Sequence, residues 1–270
     1  MKEHLTSLVK KANNGDKKSL ELVIIEIKDL VFNLSLKMLL FPEDAKDATQ
    51  EILIKVVTSL STFNHQSQFK TWVYRVATNY LLTYKGKQAK KFTRSFDDYA
   101  TLIDSGQSDT VLHTTNAGEL ALLEEEVKVS CTQGLLLCLS EIDRIVYILS
   151  DILEFNGVEG AEILEITPEN FRKKLSRSRA KIKNFLTNKC GLVNPHNPCR
   201  CKKKIDALID QKLIDPTALK FTSNSSRSID MISKLSHLEK SVAIYRSTPH
   251  FPAPDVLLKE IKETLAIDIS

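Results

Sequence analysis

One stretch of the chain, residues 69–84 with the sequence FKTWVYRVATNYLLTY, constrains the fold more than any other. Apolar and aromatic side chains recur along it at helical spacing, which predicts an amphipathic helix with a buried stripe. The stripe comprises Phe69, Val73, Val76, Ala77, Tyr80 and Tyr84. On the opposite side, Trp72, Arg75 and Asn79 recur at i, i+3 and i+7. The helix is therefore predicted to bury one side and to present an aromatic ring, a guanidinium and an amide on the other.

This polar face suits unstacked nucleic-acid bases. The ring offers a stacking plane, the guanidinium adds charge, and the amide can read a base edge. In the alternative interpretation, Trp72 packs against a neighbouring helix and Arg75 is solvated. The local charge favours nucleic acid, because the chain has no Asp or Glu between Glu51 and Asp97. The basic residues in that interval are Lys55, Lys70, Arg75, Lys85, Lys87, Lys90, Lys91 and Arg94.

The composition indicates a helical protein of about two domains. Glycine accounts for only 8 of the 270 residues and helix-forming residues dominate, which predicts an all-α fold. The five cysteines do not suggest a disulfide scaffold in a chain of this length. The first residues lack the apolar core of a signal peptide, and no run reaches the roughly 18 apolar residues of a membrane helix. We therefore expect a cytoplasmic protein that does not contact a membrane.

Residues typical of catalysis are not arranged in recognisable patterns. The sequence shows no phosphate-binding loop, no nucleophile paired with a base, and no carboxylates clustered at metal-ligand spacing. We therefore expect neither enzymatic activity nor a cofactor.

A second helix, preceding the aromatic one, begins at Pro42 with acids at its positive end, in the sequence PEDAKDATQEILIKV. Its predicted buried stripe is Ala45, Ala48, Ile52, Val56 and Leu60. Asp44, Asp47 and Glu51 recur on the other side, with Gln50 beside them. This face is either a solvated surface or a docking surface for a basic partner. The contrast with the purely basic aromatic helix favours two different partners.

Two polar segments connect these helices to the rest of the chain. The loop from Ser61 to Gln68, which includes Asn64, either merely joins the two helices or lines a pocket for an extruded base. A basic run follows at 85–94. Residues 95–118 are rich in Asp, Ser and Thr and have little periodicity, which predicts a flexible linker between domains.

The second half contains a helix-turn-helix pattern. A short helix at 158–164 precedes a turn at 165–166, and Thr167 is a predicted N-cap with Pro168 at the first helical position. The inner stripe is Phe171, Leu175, Ser178, Ile182 and Leu186. The far side and its flanks carry Asn170, Arg172, Lys173, Lys174 and Arg177. Such a helix is either a solvated basic surface or a reader of the DNA major groove, and the cap, turn and basic helix together favour the latter.

Residues 188–270 form a predicted helical C-terminal extension. It begins with CGLVNPHNPCRC, which places Cys190, His196, Cys199 and Cys201 close together. Three interpretations stay open: a Zn²⁺ or Cu⁺ site, redox-active thiols with a pKa lowered by basic neighbours, or reduced and partly buried thiols. Amphipathic helices are predicted at 229–245 and 256–267. Because nucleic-acid binding by the two motifs described above does not need this extension, we hypothesise that it is a built-in regulator.

Taken in order, these motifs resemble the bacterial RNA polymerase sigma factors of the extracytoplasmic-function (ECF) group of the sigma-70 family. PEDAKDATQEILIKV and FKTWVYRVATNYLL are similar to conserved region 2, and GAEILEITPENFRKKLSRSRAKI is similar to region 4. The resemblance implies region 2 at residues 1–94, the flexible linker at 95–118, region 4 with its helix-turn-helix at 119–187, and the extension at 188–270.

The resemblance also implies a function, partners and residue roles. It implies a factor that binds core RNA polymerase through its β′ and β subunits, directs it to promoter DNA and assists melting; it also admits an anti-sigma factor. Docking on polymerase is assigned to Asp47, Gln50 and Glu51. Recognition and melting of the minus-ten element is assigned to Asn64, Trp72, Arg75 and Asn79. At the minus-thirty-five element, Asn170, Lys173 and Arg177 are predicted to contact bases, and Arg172 and Lys174 phosphates.

The sequence departs from the family pattern at two positions of the helix-turn-helix. Glu165 stands where the family commonly has glycine, which predicts that the turn avoids a left-handed conformation. Gly160 stands where the family often has a larger apolar residue. Two other functions stay open: a stand-alone helix-turn-helix regulator, and a metal- or thiol-responsive DNA-binding sensor.

Overall fold

A computed structural model of the chain describes residues 2–84, 95–222, 237–248 and 250–266. Within these ranges the chain forms twelve α-helices, and the β pairing found there is an isolated bridge between Cys190 and Cys199. The predicted all-α fold is confirmed. None of the helices in the described ranges is both long and apolar enough to cross a membrane.

The first of two compact units comprises residues 1–91, 155–171 and 250–270. Its N-terminal helices are α1 (Lys2–Asn13), α2 (Lys17–Leu39), α3 (Pro42–Thr58) and α4 (Phe69–Thr83), with a 3-10 turn at Leu60–Thr62. The long helix α2 packs against α1, α3 and α4. Apolar residues of these helices form the core, including Val23, Ile27, Ile52, Leu53 and Ala77, each 0% exposed.

Two helices from later in the chain complete the first unit. Helix α8 (Gly157–Ile163) packs on α4, and α12 (Val256–Thr264) packs on α3. Both contacts bring distant sequence onto the two helices that carry most of the predicted region 2 sites.

The second unit comprises residues 92–154 and 172–249. Its helices are α5 (Phe96–Asp104), α6 (Ala117–Leu136), α7 (Glu141–Tyr147), most of α9 (Pro168–Lys189), α10 (Ile205–Asp210) and α11 (His237–Arg246). A π-helical turn at Ile148–Ile152 extends α7, and a 3-10 turn at Lys202–Lys204 precedes α10. The predicted domain boundaries therefore differ from this division, since residues 155–171 group with the first unit.

The segment 95–118, predicted to be a flexible linker, contains helix α5. Ser95 and Asp98 form a capping box, in which the Asp98 amide donates to Ser95 Oγ over 3.0 Å. Tyr99 is buried, and its hydroxyl donates to the carbonyl oxygen of Cys131 over 2.7 Å. The prediction was wrong over Phe96–Asp104 because serine and aspartate serve there as a helix cap. The basic run at 85–94 lies outside the described residues.

Candidate functional site

The predicted acidic face of α3 is largely exposed. Asp47 and Glu51 are exposed and Gln50 is half-buried, whereas Asp44 is only 5% exposed. The buried stripe predicted for this helix is confirmed. Asp44 therefore does not belong to the open surface, which the other three residues form.

Two tyrosines from α4 and its C-cap extend the acidic face. The rings of Tyr80 and Tyr84 lie 5.5 Å apart, and the Lys55 ammonium lies 5.8 Å from the centre of the Tyr80 ring. Partial burial and then the charge of Asp44 are the main causes that raise the pKa of Tyr84 to about 12. Burial, Glu51 and Asp47 likewise raise the pKa of Tyr80. Both hydroxyls thus stay protonated at neutral pH and can donate hydrogen bonds beside the carboxylates.

Helix α4 buries more of its surface than one stripe. Tyr74, Thr78 and Leu81 are buried although the stripe omitted them, whereas Val76 and Tyr80 are only half-buried. The helix packs against α2 and α3 on one side and α8 on another, so its apolar surface is wider than a single stripe. The single-stripe prediction was therefore incomplete.

The loop before α4 has a defined local structure. Phe63 is buried, and the ring of His65 meets it edge-on with centroids 4.6 Å apart. His65 has a φ of 59°, in the left-handed region. Asn64 is exposed, and its Oδ1 accepts a hydrogen bond from the Gln66 amide over 3.2 Å. Asn64, the residue predicted to capture a base, is thus exposed next to the buried ring of Phe63.

Trp72 is half-buried on an aromatic cluster. Its ring stacks on Phe69 at 5.7 Å with an interplanar angle of 25°, and its centroid lies 5.6 Å from that of Phe63. The predicted stacking aromatic is therefore held in place by two buried rings. Asn79, further along α4, is exposed.

Arg75 is half-buried and forms an ion pair with another helix. One of its terminal nitrogens, Nη2, lies 3.1 Å from Oε1 of Glu162 on α8. Its Nε is buried and makes no hydrogen bond. Neither interpretation drawn from the sequence included this ion pair, because Glu162 lies 87 residues away in sequence.

The helix-turn-helix forms at the predicted positions. Thr167 caps α9, since its hydroxyl accepts from the Asn170 amide over 3.2 Å. The ring of Phe171 packs against the backbone of Gly160, where an added Cβ would lie 2.6 Å from Cε2 of the ring. Glu165 has a φ of 53°, so the prediction that it would avoid the left-handed conformation was wrong. Glycine at 160 permits the close approach of Phe171, and the turn keeps its conformation without glycine at 165.

Most predicted DNA-contacting side chains of α9 are exposed. This group comprises Asn170, Arg172, Lys173 and Arg177. Lys174 is half-buried, and its ammonium lies 3.8 Å from Oδ1 of Asp143. The inner stripe is buried as predicted. Arg179, next along the helix, has a structural contact instead: Nε and Nη2 bind the buried carboxylate of Asp151 at 2.6–3.1 Å.

The cysteine-rich segment closes the C-terminal end of α9. The side-chain amides of Asn194 and Asn197 donate to the carbonyl oxygen of Thr187 over 3.1 and 2.9 Å. Arg200 donates to the carbonyl oxygens of Pro195 and Asn197. These contacts satisfy backbone groups at and beyond the helix end, which explains the segment in structural terms.

The thiols of this segment are not activated. Burial raises the pKa of Cys190, Cys199 and Cys201, and nearby basic side chains only partly offset that effect for the first two. The expectation that the basic neighbours leave these thiols with a lowered pKa was therefore wrong. Within the described ranges, no three or more His, Cys, Asp or Glu residues are arranged to hold a metal ion. His196 is exposed.

Comparison with known proteins finds a family match over the first of the two motifs. The sequence profile of Sigma-70 region 2 matches residues 24–91, which include α3, the loop and α4. The RNA polymerase sigma-H factor of Pseudomonas aeruginosa is 24% identical over 184 residues, which cover 66% of this chain and 92% of that protein. The ECF RNA polymerase sigma factor SigW of Bacillus subtilis is 28% identical over 66% of this chain and 94% of its own length.

A third relative shows a similar level of identity. The ECF RNA polymerase sigma-E factor of Escherichia coli K12 is 28% identical over 187 residues, covering 68% of this chain and 96% of that protein. These matches span nearly the whole of each relative and leave part of this chain without a counterpart in them. The region 2 match and these relatives together support an RNA polymerase sigma factor of the extracytoplasmic-function group of the sigma-70 family.

Proposed function

We propose that this protein is a sigma factor that binds core RNA polymerase, directs it to specific promoters and assists their melting. The observation that carries the proposal is the pair formed by α3 and α4, within the residues that match Sigma-70 region 2. One helix exposes Asp47 and Glu51, and the other holds Trp72 on an aromatic cluster and exposes Asn79. Two faces of opposite character on adjacent helices suit a basic protein partner and an unstacked DNA strand.

The proposal assigns a role to each group of exposed residues. Asp47, Gln50 and Glu51 dock on the polymerase β′ subunit, with Tyr80 and Tyr84 as hydrogen-bond donors at the edge of the face. Trp72 stacks on an extruded or unpaired base, and Asn64 and Asn79 read base edges. The exposed residues of α9 contact the minus-thirty-five element. The bond-forming chemistry belongs to the polymerase.

The first test is co-purification with bacterial core RNA polymerase. We expect the wild-type chain to bind, and the double variant Asp47→Arg/Glu51→Arg to bind at least about tenfold more weakly, because both charges on the docking face reverse. The matched control is Glu26→Arg/Asp210→Arg, which makes the same change in net charge at two exposed acids elsewhere. It should bind as wild type does.

The other outcomes separate the rival functions. Equal binding by both double variants would keep the sigma role and move the docking face elsewhere. If the wild type did not bind polymerase but still bound duplex DNA, the protein would be a stand-alone helix-turn-helix regulator.

A further inference from the structure

The guanidinium of Arg75 has two features that do not fit a purely structural ion pair. Its Nη2 contacts Glu162 at 3.1 Å, and the two side chains remain 28% and 46% exposed. Its Nε is buried and unpaired, which is unfavourable for a strong donor. The ion pair uses only some of the N–H donors of Arg75. A ligand that accepted hydrogen bonds from more of these donors could compete with Glu162.

An aromatic contact fixes α8 beside this ion pair. Tyr74, adjacent to Arg75, is 8% exposed and meets the ring of Phe155 edge-on, with centroids 4.9 Å apart. Phe155 lies two residues before α8, in the same compact unit as α4. The helix that bears Glu162 is therefore held against the side of α4 that carries Arg75.

From these contacts we propose that Glu162 is an internal competitor of DNA for Arg75, so that the first helix of the helix-turn-helix masks part of the melting surface. A carboxylate and a phosphate bind the same planar fork of donors, so Arg75 cannot offer that edge to both. The Glu162 charge also repels an approaching phosphate. The inference rests on the proposed function, since it assumes that the α4 face binds promoter DNA. Binding of DNA at this face then requires the Arg75–Glu162 pair to open.

The test measures binding of a fluorescent single-stranded DNA of mixed sequence, about 20 nucleotides long, to the full chain. Glu162→Gln removes the competing charge, and we expect about threefold tighter binding, as for a partly exposed ion pair. Glu165→Gln is the matched control, because it removes the same charge from an exposed residue three positions away. It should change the affinity less than Glu162→Gln does.

An Arg75→Ala background separates this inference from the proposed function. In the Arg75→Ala background, Glu162→Gln should raise the DNA affinity no more than Glu165→Gln does, because the guanidinium that Glu162 contacts is absent. Equal gains from Glu162→Gln in both backgrounds, or a gain no larger than that of Glu165→Gln, would overturn the competition. If Arg75→Ala left DNA binding unchanged, the role of Arg75 in DNA binding would fail, and the competition with it.

A second, independent set of contacts concerns the end of the chain. The buried amide of Asn33 exchanges two hydrogen bonds with the backbone of Phe251, at 2.7 and 2.9 Å, and the Ala253 amide donates to Asp29 Oδ1 over 2.8 Å. Asn33 is only 1% exposed. Without residues 251–253, its side-chain oxygen would lose this donor, so the surface of α2 is fitted to this segment.

The helix that follows anchors the segment to α3. Leu257 and Ile261 are 0% exposed, and Glu260 lies 2.8 Å from the Lys46 ammonium. Lys46 and Gln50 stand four residues apart on α3 and are therefore neighbours on its surface, so the anchored helix borders the docking face at Gln50. We name residues 250–264 the strap.

We infer that the strap is a displaceable cover that lowers the affinity of α3 for core polymerase. The inference rests on the proposed docking of α3. The occupant of this surface is the chain's own C-terminal segment, and the relatives match only 66–68% of the chain while being covered almost completely themselves. The strap thus adds a contact beside the docking face that the sigma role does not need. Polymerase must compete with the strap for the surface of α3.

Two adjacent substitutions in the full chain test the strap. Leu257→Asp places a charge at a buried site, whereas Val256→Asp makes the same kind of change at a residue that is 45% exposed. Leu257→Asp should remove hydrogen-exchange protection from residues 250–264 and tighten polymerase binding about fivefold. Val256→Asp should do neither.

If Leu257→Asp disrupts the whole fold, Glu260→Lys gives a milder release, since it sets two cations together at Lys46. Release of the strap without tighter polymerase binding would overturn the inference. If Asp47→Arg/Glu51→Arg had no effect on polymerase binding, the docking proposal itself would have failed.

Discussion

Helices α4 and α9 both carry predicted DNA-contacting residues, yet they present them in different ways. On α9, Asn170, Lys173 and Arg177 are exposed along one face, as a single helical period predicts, and Arg172 is exposed on its flank. On α4, Trp72 rests on two buried rings and Arg75 is paired with Glu162. The difference follows from packing, because α4 contacts α2, α3 and α8, so its exposed surface depends on three partners.

The two helices therefore differ in when their faces are available to DNA. A face that one helix presents alone is available whenever the helix is folded. A face bounded by other helices can be masked or opened by moving one of them, as the Glu162 contact indicates for Arg75. On the inference drawn above, the α4 surface is the one whose accessibility is regulated. Four predictions test this difference between the two helices.

The largest expected effect concerns Gly160, where tertiary packing rather than helix propensity fixes the residue. Gly160→Leu would drive its side chain into the ring of Phe171, and we expect the free energy of unfolding to fall by about 3 kcal/mol. Chemical denaturation followed by circular dichroism measures this. Gly118→Leu, in α6, is the comparison for helix propensity alone. If both variants lost the same stability, close packing at Gly160 would not be the cause.

Lys37 lies in the same compact unit as α4, and it tests how much the burial of a charged side chain lowers the free energy of unfolding. It is 4% exposed, and burial lowers its pKa to about 8 from 10.5. Below pH 8 it is charged in both folded and unfolded states, so the penalty is complete. Between pH 8 and 10.5 only the unfolded state stays charged, so stability should rise with pH. Lys37→Met should add about 2 kcal/mol at pH 7 and remove this rise.

The control for Lys37 is Lys181→Met, which changes the same residue type at an exposed position of α9. Its stability and pH profile should match those of the wild type. A wild-type stability that did not rise between pH 8 and pH 10.5 would contradict the lowered pKa of Lys37.

Arg177 tests whether the α9 face is as available as its exposure suggests. Arg177→Ala should weaken binding to promoter duplex by about 1.5 kcal/mol and relax the sequence preference, whereas Arg172→Ala should weaken all sequences alike. Competition binding with duplexes that differ at single base pairs measures both. A uniform loss for both variants would show that Arg177 contacts only phosphates.

The smallest expected effect concerns the turn. Glu165 has a φ of 53°, which costs a side-chain-bearing residue about 1 kcal/mol relative to glycine. Glu165→Gly should therefore raise the unfolding free energy by up to that amount, measured by denaturation. Glu159→Gly, in the first turn of α8, should destabilise instead, since it removes a cap contact. A loss of stability in Glu165→Gly would show that the left-handed turn is not strained.

Much of the fold could be predicted from the sequence. The cap at Thr167 marks a helix start that the structure contains, because a hydroxyl beside open backbone amides is a local signal. The buried stripes of α3 and α9 were also correct, since each follows one helical period. The cap at Ser95 is equally local, yet the polar composition around it obscured α5.

By itself, the sequence determined the helical class, the positions of the two motifs and the exposed face of α9, all of which depend on residues within a few turns of one another. The tertiary structure decided which candidate residues are accessible. Glu162 lies 87 residues from Arg75, and Phe251 lies 218 residues from Asn33. No local pattern encodes such pairs, because they form only when packing has brought α8 onto α4 and the strap onto α2.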